Sequence, residues 1–239
     1  MSEKKKSIGN EQPLSIDIIN DSILEYLETK DINKEGLFQK IKAQNNGDNR
    51  AKKASNAIYS VITKSTPLNK ALVKNFTPEL YYKLSDAEKN VIVMSLICLR
   101  YPFNYDFLFA FAKLFNVQDT VNKHYINEKM ASLYGSNLSL EHGIEAALTI
   151  AIDCHFVKRI KPGLFSKEEV KPLCDFAKEA WIYTYFEMNN KKTILINDLK
   201  YEPFMMYLID TDIDWKNTKI LHTTEDYSNQ VIINNVIDR

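Results

Sequence analysis

A mainly α-helical protein is predicted: a helical bundle followed by a smaller α+β C-terminal part. Three features predict it. The 239-residue chain holds only 6 Gly and 7 Pro, which suits helices joined by short polar loops better than a many-stranded sandwich. Apolar residues recur at helical spacing along its first half. Helix-start patterns, Thr77-Pro-Glu and Ser85-Asp-Ala-Glu88, stand just ahead of helical segments. With 45% hydrophobic and 26% charged residues, the chain has enough apolar material for a real core.

A flexible N-terminus is expected over 1–15, a helical-bundle domain over 16–136, and an α+β region with a C-terminal arm over 137–239. Ile16, Ile19, Ile23, Leu24 and Leu27 mark a first helix over 16–29. A short helix over 34–43 follows, then an Asn45-Asn-Gly-Asp-Asn turn. Asn49 or Asp48 is placed to cap the helix 50–64, which buries Ala54, Ile58, Val61 and Ile62 and leaves Arg50, Lys52, Lys53 and Asn56 mostly off that stripe. Thr77 caps the next helix with Pro78 at its first position, where the missing N–H is harmless. Ser85 and Glu88 form a capping box. The helix behind them is apolar nearly all round and belongs at the bundle centre, and Pro102 ends it.

An aromatic helix follows to Phe115, with Asp106 expected to cap a start at Phe107. A helical segment over 118–134 ends at Gly135. Ser139 opens another apolar helix through His155. Residues 156–165 read as a short strand-turn-like element, bent at Pro162-Gly163. Ser166-Lys-Glu-Glu169 reads as a second capping box, opening a helix to about Met188. A strand over 193–196 and a helix over 198–208 come next. The last thirty residues, with Val231-Ile-Ile and Val236-Ile, are expected to form a hairpin or an arm.

Chemistry is sparse. Cys98, Cys154 and Cys174 make no CxxC, which fits a reducing cytoplasm rather than a disulfide framework. No signal peptide is expected, and the apolar run 91–99 is far short of the roughly 20 residues that span a bilayer. The four histidines form no zinc pattern, and neither GxxxxGK[ST], GxGxxG nor GxSxG occurs. Cys154-His155 is adjacent in sequence but diverges on a helix. Asp210, Asp212 and Asp214 lack the Gly and Glu of a calcium loop and read as a solvated turn. A cytoplasmic protein that is not an enzyme is therefore expected, with no cofactor, no metal and no membrane contact.

Charge is the informative property. Acidic and basic residues balance at 31 each, so only local distribution can speak for nucleic acid. Within 34–74 basic residues outnumber acidic ones nine to two, with Glu35 and Asp48 the exceptions. Lys42, Arg50, Lys52 and Lys53 gather around the start of one helix, and Lys158, Arg159 and Lys161 sit on the strand-turn element, as cations do on a wing. These seven are the candidate DNA-binding residues. Their contacts would go to phosphates, with steep salt dependence and slight sequence preference. A merely solvated lysine-rich surface is the alternative.

Leu37-Phe-Gln-Lys, Arg50-Ala-Lys-Lys with Ala57-Ile, the apolar helix 91–99 and Tyr101-x-x-x-x-Asp-Phe107 together resemble the BrxA family, accessory proteins of BREX bacteriophage-exclusion systems. The resemblance spans about residues 33–165. The family usually carries an arginine late in the basic helix, where this chain reads Ile58-Tyr-Ser-Val-Ile-Thr-Lys64 and has none. The resemblance implies a NusB-like helical N-terminal part, a winged-helix-like second part, and a non-catalytic DNA-binding role in antiviral defence. Within it, Arg50, Lys52 and Lys53 occupy matching positions. Double-stranded DNA and other BREX proteins are the implied partners. A scaffold subunit without nucleic-acid contact, or a winged-helix transcriptional regulator reading a groove with the helix from Ser139 or Ser166, are the alternatives.

Overall fold

A computed structural model describes residues 6–44, 47–64, 66–135, 138–209, 212–225 and 231–234. Helix dominates them, and two small three-stranded antiparallel sheets complete them, as a mainly α fold with a helical bundle requires. Asn45-Asn46 of the expected turn, the expected 136–137 boundary, Asp210 and Val236-Ile lie outside the described residues.

Local sequence accounts for most helix ends. Ser15 accepts from the Ile18 amide to start α1 (Ile16–Thr29), and Lys30 closes it in the left-handed region at φ 62. Next come α2 (Lys34–Gln44) and α3 (Asp48–Thr63). A helix absent from the sequence expectations, α4 (Pro67–Asn75), starts with a Thr66/Asn69 capping box. Asn69 is buried, and its amide donates to the Val61 and Ile62 carbonyls at 3.1 and 2.8 Å, closing α3 behind it. Thr77 caps α5 (Pro78–Tyr82).

The Ser85/Glu88 capping box opens α6 (Asp86–Arg100). Glu88 also binds across the fold: its second oxygen accepts from the Cys174 amide at 2.7 Å, at the start of α10 (Asp175–Met188). Residues Val91 through Cys98 are all buried, so α6 is the central helix. α7 (Pro102–Phe115) leaves it at 116°.

Two expectations fail at α7. The aromatic helix begins at Pro102, and Asp106 lies inside it rather than at its cap. Pro102 supplies the first helical position itself, so no later cap is required. The Asp106 carboxylate instead accepts from Tyr134 Oη and from Lys6 Nζ, each at 2.7 Å. The segment 1–15, expected to be flexible, has residues 6–15 laid against the bundle through this ion pair and through buried Asn10 and Leu14.

Beyond α7 the order is β1 (Thr120–Asn122), α8 (Lys123–Tyr134), α9 (Leu138–Asp153), β2 (Val157–Lys161) and β3 (Leu164–Lys167). β3 is central, giving the sheet order β1-β3-β2. The expected strand-turn element is β2 with its bend, and β3 returns along it; the second capping box does not form. Ser166 pairs with both Thr120 and Lys158 in the ladder, so it is extended backbone. Val170 then bridges to Leu208. Pro172 disfavours a helical residue before it, and α10 starts only at Asp175.

The expected strand near 193 is β4 (Thr193–Leu195). The expected helix 198–208 is split into α11 (Ile196–Leu199) and a 3-10 turn, Pro203–Tyr207, because Pro203 has no N–H to continue the first. Of the hairpin and the arm expected for the last thirty residues, β5 (His222–Glu225) and β6 (Val231–Asn234) give the antiparallel pairing of the former, and the second sheet runs β4-β6-β5.

The two halves share a core. Trp181 of α10 is fully buried, stacks on Phe204 and Phe156 at 4.1 and 4.7 Å, and donates to the Phe204 carbonyl at 2.9 Å. Tyr207 donates to the Leu108 carbonyl of α7 at 2.8 Å. Gly143 of α9 makes another close approach, since a Cβ there would lie 2.7 Å from Ile8 Cγ2 and 3.2 Å from Phe103 Cζ. Gly143→Ala is expected to destabilise the protein by about 1–3 kcal/mol through overpacking, although helix propensity alone favours alanine by roughly 1 kcal/mol. A thermal melt decides the sign; a raised Tm would mean that the Ile8 segment yields.

Candidate nucleic-acid interface

The first cationic group lies on α3. Its apolar face, Ala51, Ala54, Ala57, Ile58, Val61 and Ile62, is buried. That orientation leaves Arg50, Lys52 and Lys53 exposed on its first turns. Neither Asn49 nor Asp48 caps the helix: Gly47 holds the cap position with no side-chain bond. The Asp48 carboxylate pairs instead with Lys42 Nζ at 2.9 Å, across the α2–α3 connection. Lys42 is thereby offset by a carboxylate, and the candidate set loses it as a free cation.

The second group lies on the β2–β3 hairpin. β2 is an edge strand in which only Val157 is buried, so Lys158, Arg159, Ile160 and Lys161 face solvent. A register shift between Arg159 and Lys161 turns the strand before Pro162-Gly163. Gly163 takes φ 75, which a side chain would strain. Its carbonyl accepts from the Lys123 amide at 2.9 Å, so the turn is fastened to the start of α8. The Arg159 guanidinium lies 5.7 Å from the Phe165 ring centre, which orients it.

Among the described residues, Arg50, Lys52, Lys53, Lys158, Arg159 and Lys161 form no ion pair, whereas Lys6, Lys40, Lys123, Lys167 and Lys191 do. The structure does not merge the two groups. α3 packs on α1, α2 and α6, while β2 packs on α9 and β3.

The helix pair beside the hairpin has the opposite character. α9 exposes Glu141, His142, Glu145 and Thr149, with no lysine or arginine along its length. Lys123 of α8 is bound to Glu145. A cleft of about 280 Å³ between α8 and α9 is lined by these two, Glu141 and the apolar Leu140 and Ile144. Asn127 Oδ1 is buried there without a hydrogen-bond partner.

The remaining residues give no reactive constellation. Cys154 is buried, and burial pushes its thiol well above the usual range; His155 points out to solvent and meets Glu168 at 3.3 Å. Burial raises the Cys98 thiol likewise. Asp214 accepts from the Lys216 amide and from Asn217 Nδ2, bonds that hold its carboxyl below the usual range. Asp212 and Asp214 thus lie in a polar turn. Among the described residues no cluster of His, Cys, Asp and Glu could hold a metal ion. Nor is any single helix among them long and apolar enough to cross a membrane.

Two cations near α3 escaped the sequence reasoning as site residues. Arg100, at the end of α6, donates from Nε to Ser60 Oγ of α3 and lies 5.0 Å from the Tyr101 ring centre. Lys34 places its Nζ 4.0 Å from the centre of the Tyr59 ring. Forty residues separate Arg100 from Ser60, so no local pattern could pair them.

No protein-family model, curated protein or solved structure matches this chain.

Proposed function

We propose that this protein is a non-enzymatic DNA-binding subunit that grips the phosphate backbone and reads little sequence. The single observation that carries this is the exposed β2–β3 hairpin, with Lys158, Arg159 and Lys161 unpaired at an open sheet edge. The order α7-β1-α8-α9-β2-β3 with sheet order β1-β3-β2 supports a winged-helix reading, in which this hairpin would serve as the wing and α8 and α9 as the helix pair. The cations of α3 supply a second phosphate-facing surface.

The acidic α9 face argues for wing and α3 contacts over groove reading. A recognition helix lying in the major groove brings its exposed residues against bases flanked by phosphates. Glu141 would be repelled there and Glu145, already bound to Lys123, would gain nothing from phosphate, so a sequence-specific regulator is disfavoured. An accessory role in BREX-type phage defence, with a NusB-like bundle, rests on the resemblance to BrxA alone. A scaffold role has one observation of its own: the acidic, partly apolar α8–α9 cleft suits a basic protein segment.

Duplex binding measured by fluorescence anisotropy tests the proposal. Six phosphate contacts give a slope of log K against log salt of about −5, and two unrelated duplex sequences are expected to bind alike. Absence of binding at about 50 mM salt, the low end where such contacts are strongest, would leave the scaffold as the surviving role. Co-purification with a defence-system protein would then be its support.

A further inference from the structure

We infer that the cavity between α2 and α3 binds a nucleoside phosphate. One stripe of α3, Lys52, Ser55, Asn56 and Tyr59, faces Lys34 and Phe38 of α2 across a cavity of about 320 Å³. That volume is at the lower end of the roughly 300–1,000 Å³ typical of small-ligand sites. Leu37, buried, also lines it.

The lining matches the two halves of a nucleotide. Tyr59 and Phe38 present aromatic surface to a flat base. Asn56, exposed, offers an amide that can both donate to and accept from a base edge. Lys34 and Lys52 bring two ammonium groups for the phosphate. Lys34 Nζ stands over the Tyr59 ring. Its side chain is exposed, so it can exchange this weak contact for a phosphate oxygen while the ring takes the base. Glu35, the one carboxylate in the lining, is engaged by Gln39 Nε2 at 2.7 Å.

Three other cavities among the described residues lack this combination. The groove between α1 and α5 is larger, about 680 Å³, but Asp21, Glu25, Glu28 and Glu79 line it against Lys40 and Lys83, and it repels phosphate. The α8–α9 cleft carries Glu141 and Glu145. The cavity beside Arg100 has its second cation, Lys6, bound to Asp106.

The occupant is either a free nucleotide or an unstacked nucleotide of a single strand, and one experiment separates them. Backbone amide NMR spectra of the full chain are recorded during titration with AMP, adenosine, inorganic phosphate and a short oligodeoxyadenylate. AMP is expected to shift the amides of 34–38 and 52–59. Adenosine and phosphate should each bind at least about ten-fold more weakly, since each engages half of the lining. An oligodeoxyadenylate that shifts the same amides at ten-fold lower concentration than AMP assigns the cavity to strand ends; an equal or weaker one assigns it to the free nucleotide. Lys34→Glu and Asn56→Leu, both at exposed positions, should each weaken AMP binding about ten-fold with an unchanged circular-dichroism spectrum. The inference is overturned if AMP shifts none of these amides, if phosphate alone matches AMP, or if both variants bind AMP as the parent does. Charge reversal of Lys158, Arg159 and Lys161 should leave AMP binding intact, so failure here is distinct from failure of the duplex proposal.

Discussion

Exchanging Lys158, Arg159 and Lys161 together for glutamate is expected to weaken duplex binding about 100-fold and to flatten the salt slope by about 3. Each cation that neutralises a phosphate contributes close to one unit of slope and on the order of 1 kcal/mol of affinity, and reversing its sign adds repulsion. The fold should tolerate the change. All three side chains face solvent on an edge strand, and the one packing contact at stake, Arg159 over Phe165, is of the exposed cation–π kind worth roughly 0.5–1 kcal/mol. An unchanged affinity in a normally folded variant would remove the hairpin from the interface.

The same experiment weighs the two cationic groups against each other. Lys52→Glu with Lys53→Glu acts on α3, whose packing partners differ from those of β2. Without shared contacts, their effects on binding free energy should add to within about 0.5 kcal/mol if both touch one duplex. An α3 variant that binds duplex as the parent does would confine the interface to the β2–β3 hairpin.

Short-range chemistry was legible in the sequence, and long-range pairing was not. Ser85 and Glu88 were readable as a capping box because both partners lie within one turn. The same signature at Ser166 and Glu169 misled, since the Ser166 backbone is claimed by strands at 120 and 158. Pro162-Gly163 announced the hairpin turn through its own dihedral preferences. The helix α4 carries at Thr66-Pro67 the start found at Thr77-Pro78, so its signal was present though unread. Lys42 stood in sequence as one more cation of the cluster, and only the α2–α3 connection reveals Asp48 against it. The acidity of α9 was in the sequence too, but it gained meaning once the element order set α9 beside the β2–β3 hairpin. Lys34 with Tyr59 and Arg100 with Ser60 depend on how α2, α3 and α6 pack, which no local pattern encodes.

Glu179→Ala is expected to cause the largest loss of stability, on the order of 2–6 kcal/mol. The carboxylate lies on α10 at 0% exposure. One of its oxygens accepts from the amides of Lys219, Ile220 and Leu221 at 2.8, 2.7 and 3.1 Å, and the other accepts from Lys219 at 3.0 Å. Burial pushes this carboxyl above the ordinary range, and the amides pull it part of the way back. Those three amides immediately precede β5, so a single side chain ties the second sheet to the central helices. Alanine leaves the amides of buried Ile220 and Leu221 without their acceptor, while that of exposed Lys219 can turn to water, and each buried orphan costs about 1–3 kcal/mol. Glu179→Gln should fall between alanine and the parent, because one carbonyl oxygen remains while the new NH₂ opposes the amide donors. For a domain of this size the alanine variant should melt on the order of 10 °C lower. Hydrogen exchange locates the damage: protection should vanish first in β4, β5 and β6 and persist in α6 and α7. A melting temperature within about 2 °C of the parent, less than 1 kcal/mol on this scale, would mean that the segment 219–221 holds its place without the carboxylate.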